Sequence, residues 1–332
     1  MPKFVVEVGS VGRAALLGLW FAVAGSLAAC ISGSPIGQSC ETGADCESGA
    51  CHEGTCVSAS GGGDVGGSGT GGSGMGGDAT VGGSGTGGDA TGGSGTGGSG
   101  VCSPNHDGSI TRAEVPLAPG LDAKFRIAGD VTFDTSGDMV AGTQTWDMSG
   151  NLSGDHAVLL ETLDITGAWY ADTFPGASYA VRLSDSSDLL GVFEITSDSL
   201  LLRGVVSPAD GITKTELTYD PPVVVLAFPL QKDDTFQTTS TVTGYASGVY
   251  SIYTETYENQ VDARGDLITP FSTFDVLRVR VDLTRIVGAL VTTQKTFAFV
   301  TECFGTVATI ASQLGETGTE FSDVSEIKRL TP

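Results

Sequence analysis

"FDVLRVRVDLTRIV", residues 274–287, alternates strictly between apolar and polar side chains. Leu277, Val279, Val281 and Leu283 fall on one side of an extended chain, and Arg278, Arg280, Asp282 and Thr284 on the other. Side chains two apart share a face of a strand, so the pattern predicts a strand with one face in a core and one in water. Similar stretches recur at residues 125–133, 144–148, 158–165, 179–183, 189–196, 200–205, 213–219, 223–228, 235–244, 250–261, 293–301, 307–312 and 325–330. Turn-forming groups separate them: "DTSGD", "MSGNLSGD", "PADG", "YDPP", "QKDD", "DARGD" and "LGETG". No segment sustains a 3.6-residue period. The reading is an all-β fold for residues 102–332, an antiparallel β-sandwich or a curved half-barrel. A sheet with this many strands must curl or split into two packed layers.

Working outward from this block, composition changes abruptly on its N-terminal side. Of the 40 residues from 61 to 100, 22 are glycine. No core can form from such a sequence, so residues 57–101 are expected to be a Gly/Ser/Thr-rich flexible linker spanning roughly 35–40 Å. It has neither the lysine nor the flanking elements of a phosphate loop. Further upstream, residues 14–25 are apolar behind Lys3 and Arg13, a run of signal-peptide length that is too short to span a bilayer comfortably. The following Leu27, Ala28, Ala29 and Cys30 resemble a bacterial lipobox. That resemblance implies cleavage after residue 29 and acylation of Cys30, palmitate included, with several chains on one Cys making a stable membrane anchor. Ile31, where Asp would favour inner-membrane retention, points to the outer membrane or cell surface. Residues 31–39 then form a tether.

An exported chain meets an oxidising compartment, where paired Cys are expected to bond. "CETGADCESGACHEGTC", residues 40–56, is too short to bury a core, so Cys40, Cys46, Cys51 and Cys56 are expected to form two disulfides. Three pairings are open, and Cys40–Cys51 with Cys46–Cys56 is favoured. Zinc, with His52 adjacent, is the lesser reading because the spacing has no C-x2-C knuckle. The module is similar to small Cys-rich modules of the Dickkopf N-terminal type. Cys102 and Cys303 bracket the β domain, and pairing them would spare both from being odd thiols.

The chain carries 16 basic and 39 acidic residues, a formal net charge of −23. Such a surface repels phosphate backbones, so nucleic acid is not an expected partner. The stretch "CSPNHDGSITRAEV", residues 102–115, spells much of a calcium-binding loop. With Gly108 as the turn glycine, Ser103, Asn105, Asp107, the Ser109 carbonyl, Thr111 and Glu114 stand at the spacings from which EF-hand oxygens converge on an ion. Ser103 replaces the usual Asp, however, and Pro116 opposes an exit helix. The competing reading is an Asx-type turn leading into the first strand. Apart from the lesser zinc reading of the Cys module, no cofactor other than calcium is raised by the sequence.

Catalytic motifs are missing. His106 and His156 lie in no metal-binding pattern, and no nucleophile elbow or phosphate loop occurs. Arg264-Gly265-Asp266 spells the integrin-binding tripeptide, but it is read as an ordinary turn between strands. The strand aromatics, among them Trp146, Tyr179, Phe193, Tyr250, Tyr257, Phe297 and Phe299, are read as core and rim, with a ligand groove as the alternative.

The segments "CSPNHDGSITRAEVPL", "GAWYADTFPGASYAVRL", "LTYDPPVVVLAFPL", "DLITPFSTFDVLRVRVDL" and "FAFVTECFGTVATI" resemble an uncharacterised family of myxobacterial Cys-rich lipoproteins. The lipobox, Cys module and Gly-rich linker match that family's arrangement, which implies no known activity or site residue. A weaker likeness, in "TPFSTFDVLRVRV" and the long strands after it, is to half-barrel lipoprotein carriers. The expectation is a lipid-anchored envelope or surface protein, not an enzyme, whose β domain binds an unknown ligand or envelope protein. The alternatives are a carrier of hydrophobic ligands or lipid and, less favoured, an exported hydrolase.

Overall fold

The alternating stretch at residues 274–287 is a single strand, and the strands on either side of it are built the same way. The computed structural model describes residues 102–332 and two short strands of the Cys-rich stretch. These two, β1 (Cys51–His52) and β2 (Thr55–Cys56), pair antiparallel. The expected signal peptide, Cys30, the expected tether, Cys40, Cys46 and the expected linker lie outside the described residues, as do the side chains of Cys51 and Cys56.

The β domain follows as β3 (Ser109–Ile110), β4 (Asp122–Thr132), β5 (Asp138–Val140), β6 (Thr143–Asp147), β7 (His156–Glu161), β8 (Tyr179–Arg182), β9 (Leu190–Ile195) and β10 (Ser199–Val206). It continues with β11 (Glu216–Ala227), β12 (Leu230–Gln231), β13 (Thr235–Ala246), β14 (Val249–Ile268), β15 (Thr273–Val287), β16 (Leu290–Thr301), β17 (Gly305–Ser312) and β18 (Asp323–Leu330). One sheet runs β7-β4-β18-β17-β16-β15-β14-β13-β11-β10-β9-β8, with β6 beside the end of β14 and β5 beside β6. The two ends of this path meet: Leu163, just past β7, bridges Ala180 of β8 through N–H···O bonds of 2.7 and 2.9 Å. The sheet therefore curls into a nearly closed, antiparallel, barrel-like form, which satisfies edges that would otherwise be open.

Three cores hold this curl. Inside it, Leu277, Val279, Val281 and Leu283 of β15 meet Tyr257 and Val261 of β14 and the apolar residues of β8 to β11. Ile110, Val115 and Leu117 from the start of the domain join the same cluster. On the opposite face, Phe274 and Val276 of β15 and Phe297 and Phe299 of β16 pack with β4, β17 and β18 under Trp146, Met148 and Phe321. A smaller cluster covers the outer side of β8 to β10 with Tyr170 and Phe174, from a segment containing a short 3-10 turn (Ala171–Thr173). β17 is buried on both faces along its whole length.

Several sequence expectations change. Arg278, assigned to the watered face, is buried. Its guanidinium reaches both Asp262 oxygens at 2.9 and 3.0 Å, Glu320 at 2.6 Å and the Thr135 carbonyl at 2.8 Å. It also lies over the Phe297 ring at 4.1 Å. "YDPP" is not a turn but an irregularity within β11, where the pairing with β10 jumps from Val223 to Thr218. Proline offers no N–H to a ladder, so it stays in a strand path where the ladder is already interrupted.

"DARGD" is not a turn either. Residues 250–261 and the supposed turn belong to β14, which continues to Ile268. A bulge between Val261 and Ala263 moves the inward side chains to the other face, and β6 then pairs parallel with Gly265–Ile268. Antiparallel pairing is thus the rule with this one exception in the main sheet. Gly265 permits the exception: a Cβ there would stand 2.1 Å from the Gln144 carbonyl oxygen of β6. Gly265→Ala should push β6 off β14 and lower stability by about 1–3 kcal/mol, as overpacking does elsewhere. Guanidinium unfolding monitored by near-ultraviolet circular dichroism measures this, and an unchanged midpoint would show that β6 yields freely.

Candidate functional site

The calcium-like stretch forms the fastening of the domain's start. Cys102 is bonded to Cys303, which lies in the tight turn between β16 and β17, 201 residues away. Around this bond the chain is held by backbone capping. The Glu302 carboxylate accepts the Asn105 and His106 N–H groups, and the Cys303 N–H donates to the Glu114 carbonyl at 2.7 Å. Arg264 pairs with Asp275 at 2.7 Å and donates to the His106 carbonyl at 3.1 Å. The side chain of the supposed integrin motif thus works as an internal strap.

The loop's own oxygens are engaged locally. Asn105 Oδ1 accepts the Asp107 N–H and Asp107 Oδ1 the Ser109 N–H, both at 2.8 Å. Glu114 accepts the Thr111 N–H at 2.7 Å, its hydroxyl at 2.8 Å and the Asn105 amide at 2.8 Å. Ser109 enters β3 and pairs with Gln231. Among the described residues no group of three or more His, Cys, Asp or Glu side chains is arranged to hold a metal ion. The geometry is that of consecutive Asx-type turns closed by a Glu cap.

The two histidines of the domain lie at opposite fastenings. His106 Nδ1 stands 3.4 Å from Asp275. His156 has both ring nitrogens engaged, Nδ1 with the Gly154 carbonyl at 3.1 Å and Nε2 with Asp185 at 2.8 Å. These contacts favour the imidazolium, so its pKa is raised, chiefly by the Gly154 carbonyl and then by Asp185. No ring nitrogen of His156 is left to activate a nucleophile.

A cavity of about 430 Å³ lies on the outer face of β13 to β15, against Gln237, Glu258, Gln260, Arg280 and Asp282. Its lining is mixed, with Phe236 among the polar side chains, and Asp282 is paired with Arg280 and Lys295. The concave side, where a carrier would hold an acyl chain, is filled by the inner core and by Ile110, Val115 and Leu117.

The feature that sequence reasoning missed is the end of the domain formed by its longest hairpins. The β13–β14 turn exposes Tyr245, Val249, Tyr250 and Ile252, with Val249 at 68% and Tyr250 at 63%. The neighbouring β15–β16 turn exposes Ile286, Val287, Leu290 and Val291, with Leu290 at 63%. Tyr245 and Tyr250 meet edge to face, with centroids 5.8 Å apart. The register sets Ile286 opposite both Thr254 and Val291, which brings the two turns side by side. Ile212, 95% exposed, joins them: the β10–β11 connection bonds to the first turn through the Gly248 N–H and the Lys214 carbonyl at 2.9 Å. Residues 241–254 and 286–294 contain no charged side chain. The signal was present in "GYASGVYSIY" and "IVGALVTT", where alternation gives way to apolar residues on both faces.

Beneath these turns lies a buried polar layer. Glu255 is fully buried, pairs with Arg285 at 2.5 Å and accepts the Tyr257 hydroxyl at 2.6 Å. Burial, reinforced by the Glu255 charge, pushes the Tyr257 and Tyr219 hydroxyls well above the ordinary tyrosine range.

No protein-family model matches the chain, and no curated protein matches it. One solved structure, "of a putative lipoprotein from Parabacteroides distasonis ATCC 8503", aligns over 67% of this chain and 97% of its own, at 12% identity and a TM-score of 0.32. A likeness at that level carries no argument about function.

Two measurements check the fastening. Glu114→Ala removes a cap and should lower the unfolding free energy by about 1 kcal/mol, equally with and without millimolar calcium. A calcium-dependent rise in Tm that the variant abolishes would instead place an ion in the loop. His156 should titrate above the ordinary value of about 6.5. Because its folded pKa is raised, its stabilising contribution is complete below the unfolded pKa and disappears as pH climbs through the folded one. Proton NMR of the ring should show the raised midpoint falling in Asp185→Asn, and an unmoved midpoint would remove Asp185 from the account.

Proposed function

We propose that this chain is a lipid-anchored cell-envelope protein that presents a non-enzymatic β domain for binding. Acylation at Cys30 holds it to a membrane, the outer membrane or cell surface, and residues 57–101 act as a spacer. The observation that carries the reading is the Cys102–Cys303 disulfide. Structural disulfides are rare in the cytosol and persist in exported proteins. This one fastens the start of the domain, where a spacer would pull, to a turn between two central strands. A disulfide-fastened, acidic domain on a tether suits presentation away from a surface.

Binding is favoured over catalysis because His156 is engaged at both nitrogens. The filled concave side favours binding at the surface over carriage of an acyl chain inside. The partners are the membrane, through the lipid, and an envelope ligand of another kind. The net charge of −23 disfavours nucleic acid.

Mass spectrometry of the mature protein tests the anchor. The N-terminal peptide should begin at Cys30 and carry acyl chains, and Cys30→Ser should be recovered without any acyl modification. An unmodified Cys30 in the mature wild-type chain would refute the anchor.

A further inference from the structure

We infer that the end of the β domain formed by the charge-free β13–β14 and β15–β16 turns, with Ile212 beside them, is a lipid-binding face that lodges at the surface of a bilayer. The inference rests on the anchored reading for its setting, but on the hairpin turns for its chemistry.

Four observations on these turns support it. First, the apolar residues project from chain reversals, and they occur on both faces of each hairpin. Tyr245, Tyr250, Ile252, Ile286 and Val291 lie on the outer face by register, and Val249, Val287 and Leu290 on the other. A hairpin that is apolar on both faces suits a medium that surrounds it, rather than a partner that covers one side.

Second, the boundary is sharp. On the outer face of β14 and β15, Thr256, Glu258, Thr284 and Asp282 follow directly below Thr254 and Ile286. From Val249 to Ile252 is about 10 Å of strand. Amphipathic elements lodge to a similar depth at the headgroup–acyl boundary, and the hydrocarbon core, about 30 Å thick, is far too deep for these turns to cross.

Third, charge selects this end. The chain carries −23 overall, so most of its surface is repelled by an anionic bilayer. Residues 241–254 and 286–294 hold no carboxylate; the ones beside them are Asp210, exposed and paired with Lys214 at 3.3 Å, and Glu316, in the connection whose Gly315 N–H donates to the Thr293 carbonyl at 2.9 Å. Fourth, Tyr245 and Tyr250 flank the turn, and tyrosine prefers the interface between lipid and water. A tether of about 70 residues to a lipid at Cys30 would raise the local concentration of this face at the membrane without any new contact.

The test uses the full mature chain with Cys30→Ser, so that the lipid anchor contributes nothing, and vesicles of phosphatidylethanolamine and phosphatidylglycerol. The chain should float with the vesicles, and molar salt should not release it, because the attraction is apolar. Val249→Ser, Tyr250→Ser and Leu290→Ser combined should weaken flotation by about tenfold or more. These side chains are exposed, so near-ultraviolet circular dichroism should be unchanged apart from the lost tyrosine. In a second variant, Tyr250→Trp, brominated acyl chains should quench the new fluorophore.

Three results would overturn the inference: no flotation of the Cys30→Ser chain, flotation equal in the triple variant, or self-association in light scattering that the triple variant abolishes. The last would assign the face to a second copy of this chain. Acylation of Cys30 is read separately by mass, so failure of the anchor and failure of this face are distinguishable.

Discussion

One buried cation ties together the outer half of the domain. The Arg278 guanidinium lies between the Phe297 and Trp146 rings with almost no access to water. An unpaired charge there would cost several kcal/mol, so its position is tolerable only with its partners in place. Each partner comes from a different segment. Asp262 is the extra residue of the β14 bulge, Glu320 belongs to the β17–β18 connection, and the Thr135 carbonyl comes from the segment after β4. Thr135 also receives the Trp146 indole N–H at 3.0 Å and bonds reciprocally with Phe321. A single side chain thus fixes the bulge that turns β14 over, and with it the covering layer that the turned strand receives.

That bulge is why one sheet can serve two cores. Before Val261 the inward residues of β14 belong to the barrel interior, and after Ala263 they belong to the outer core under Trp146. Residues 102–117 complete the inner core and are held by the disulfide, Glu302 and Arg264. The start of the chain is therefore part of the packing, and its capping turns are structural before they are anything else. Loss of the disulfide would free a loop of about 200 residues, for which chain entropy alone predicts several kcal/mol.

The sequence made the strands legible wherever one face met water. Residues 279–284 alternate in burial as they do in polarity, whereas in β13 and β14 burial alternates but its inward positions include the polar Thr238, Ser240, Glu255 and Asn259. Legibility failed where both faces are covered. Residues 274–278 bury Arg278 along with its apolar neighbours, and nothing local distinguishes that arginine from Arg280, which is half-buried two residues on. "YDPP" and "DARGD" misled for a related reason. Turn residues also suit bulges and close approaches, and only the partner strand decides which is meant. Of the residues singled out for chemistry, Cys102 and Cys303 come together as expected. The oxygens of residues 105–114 also gather, but around backbone N–H groups. The hairpin ends were legible only as a loss of charge and alternation, a signal that has no meaning until the register sets two such turns side by side.

The apolar turns are not an overflow of the core. At the edge of the inner cluster next to the turns stands the Glu255–Arg285 pair, with Tyr219, Tyr253 and Tyr257 around it. An apolar core that simply continued to the tips would have no reason to bury a carboxylate there, since isosteric apolar residues would be at least as stable. Val249, Tyr250 and Leu290 stand exposed beyond this buried pair. Exposed apolar hairpin ends carry an aggregation risk that folds ordinarily avoid with charge. This chain has 39 acidic residues and places none of them in either turn. Charge-free turns beside a buried ion pair are the arrangement that the proposed contact with a bilayer surface requires.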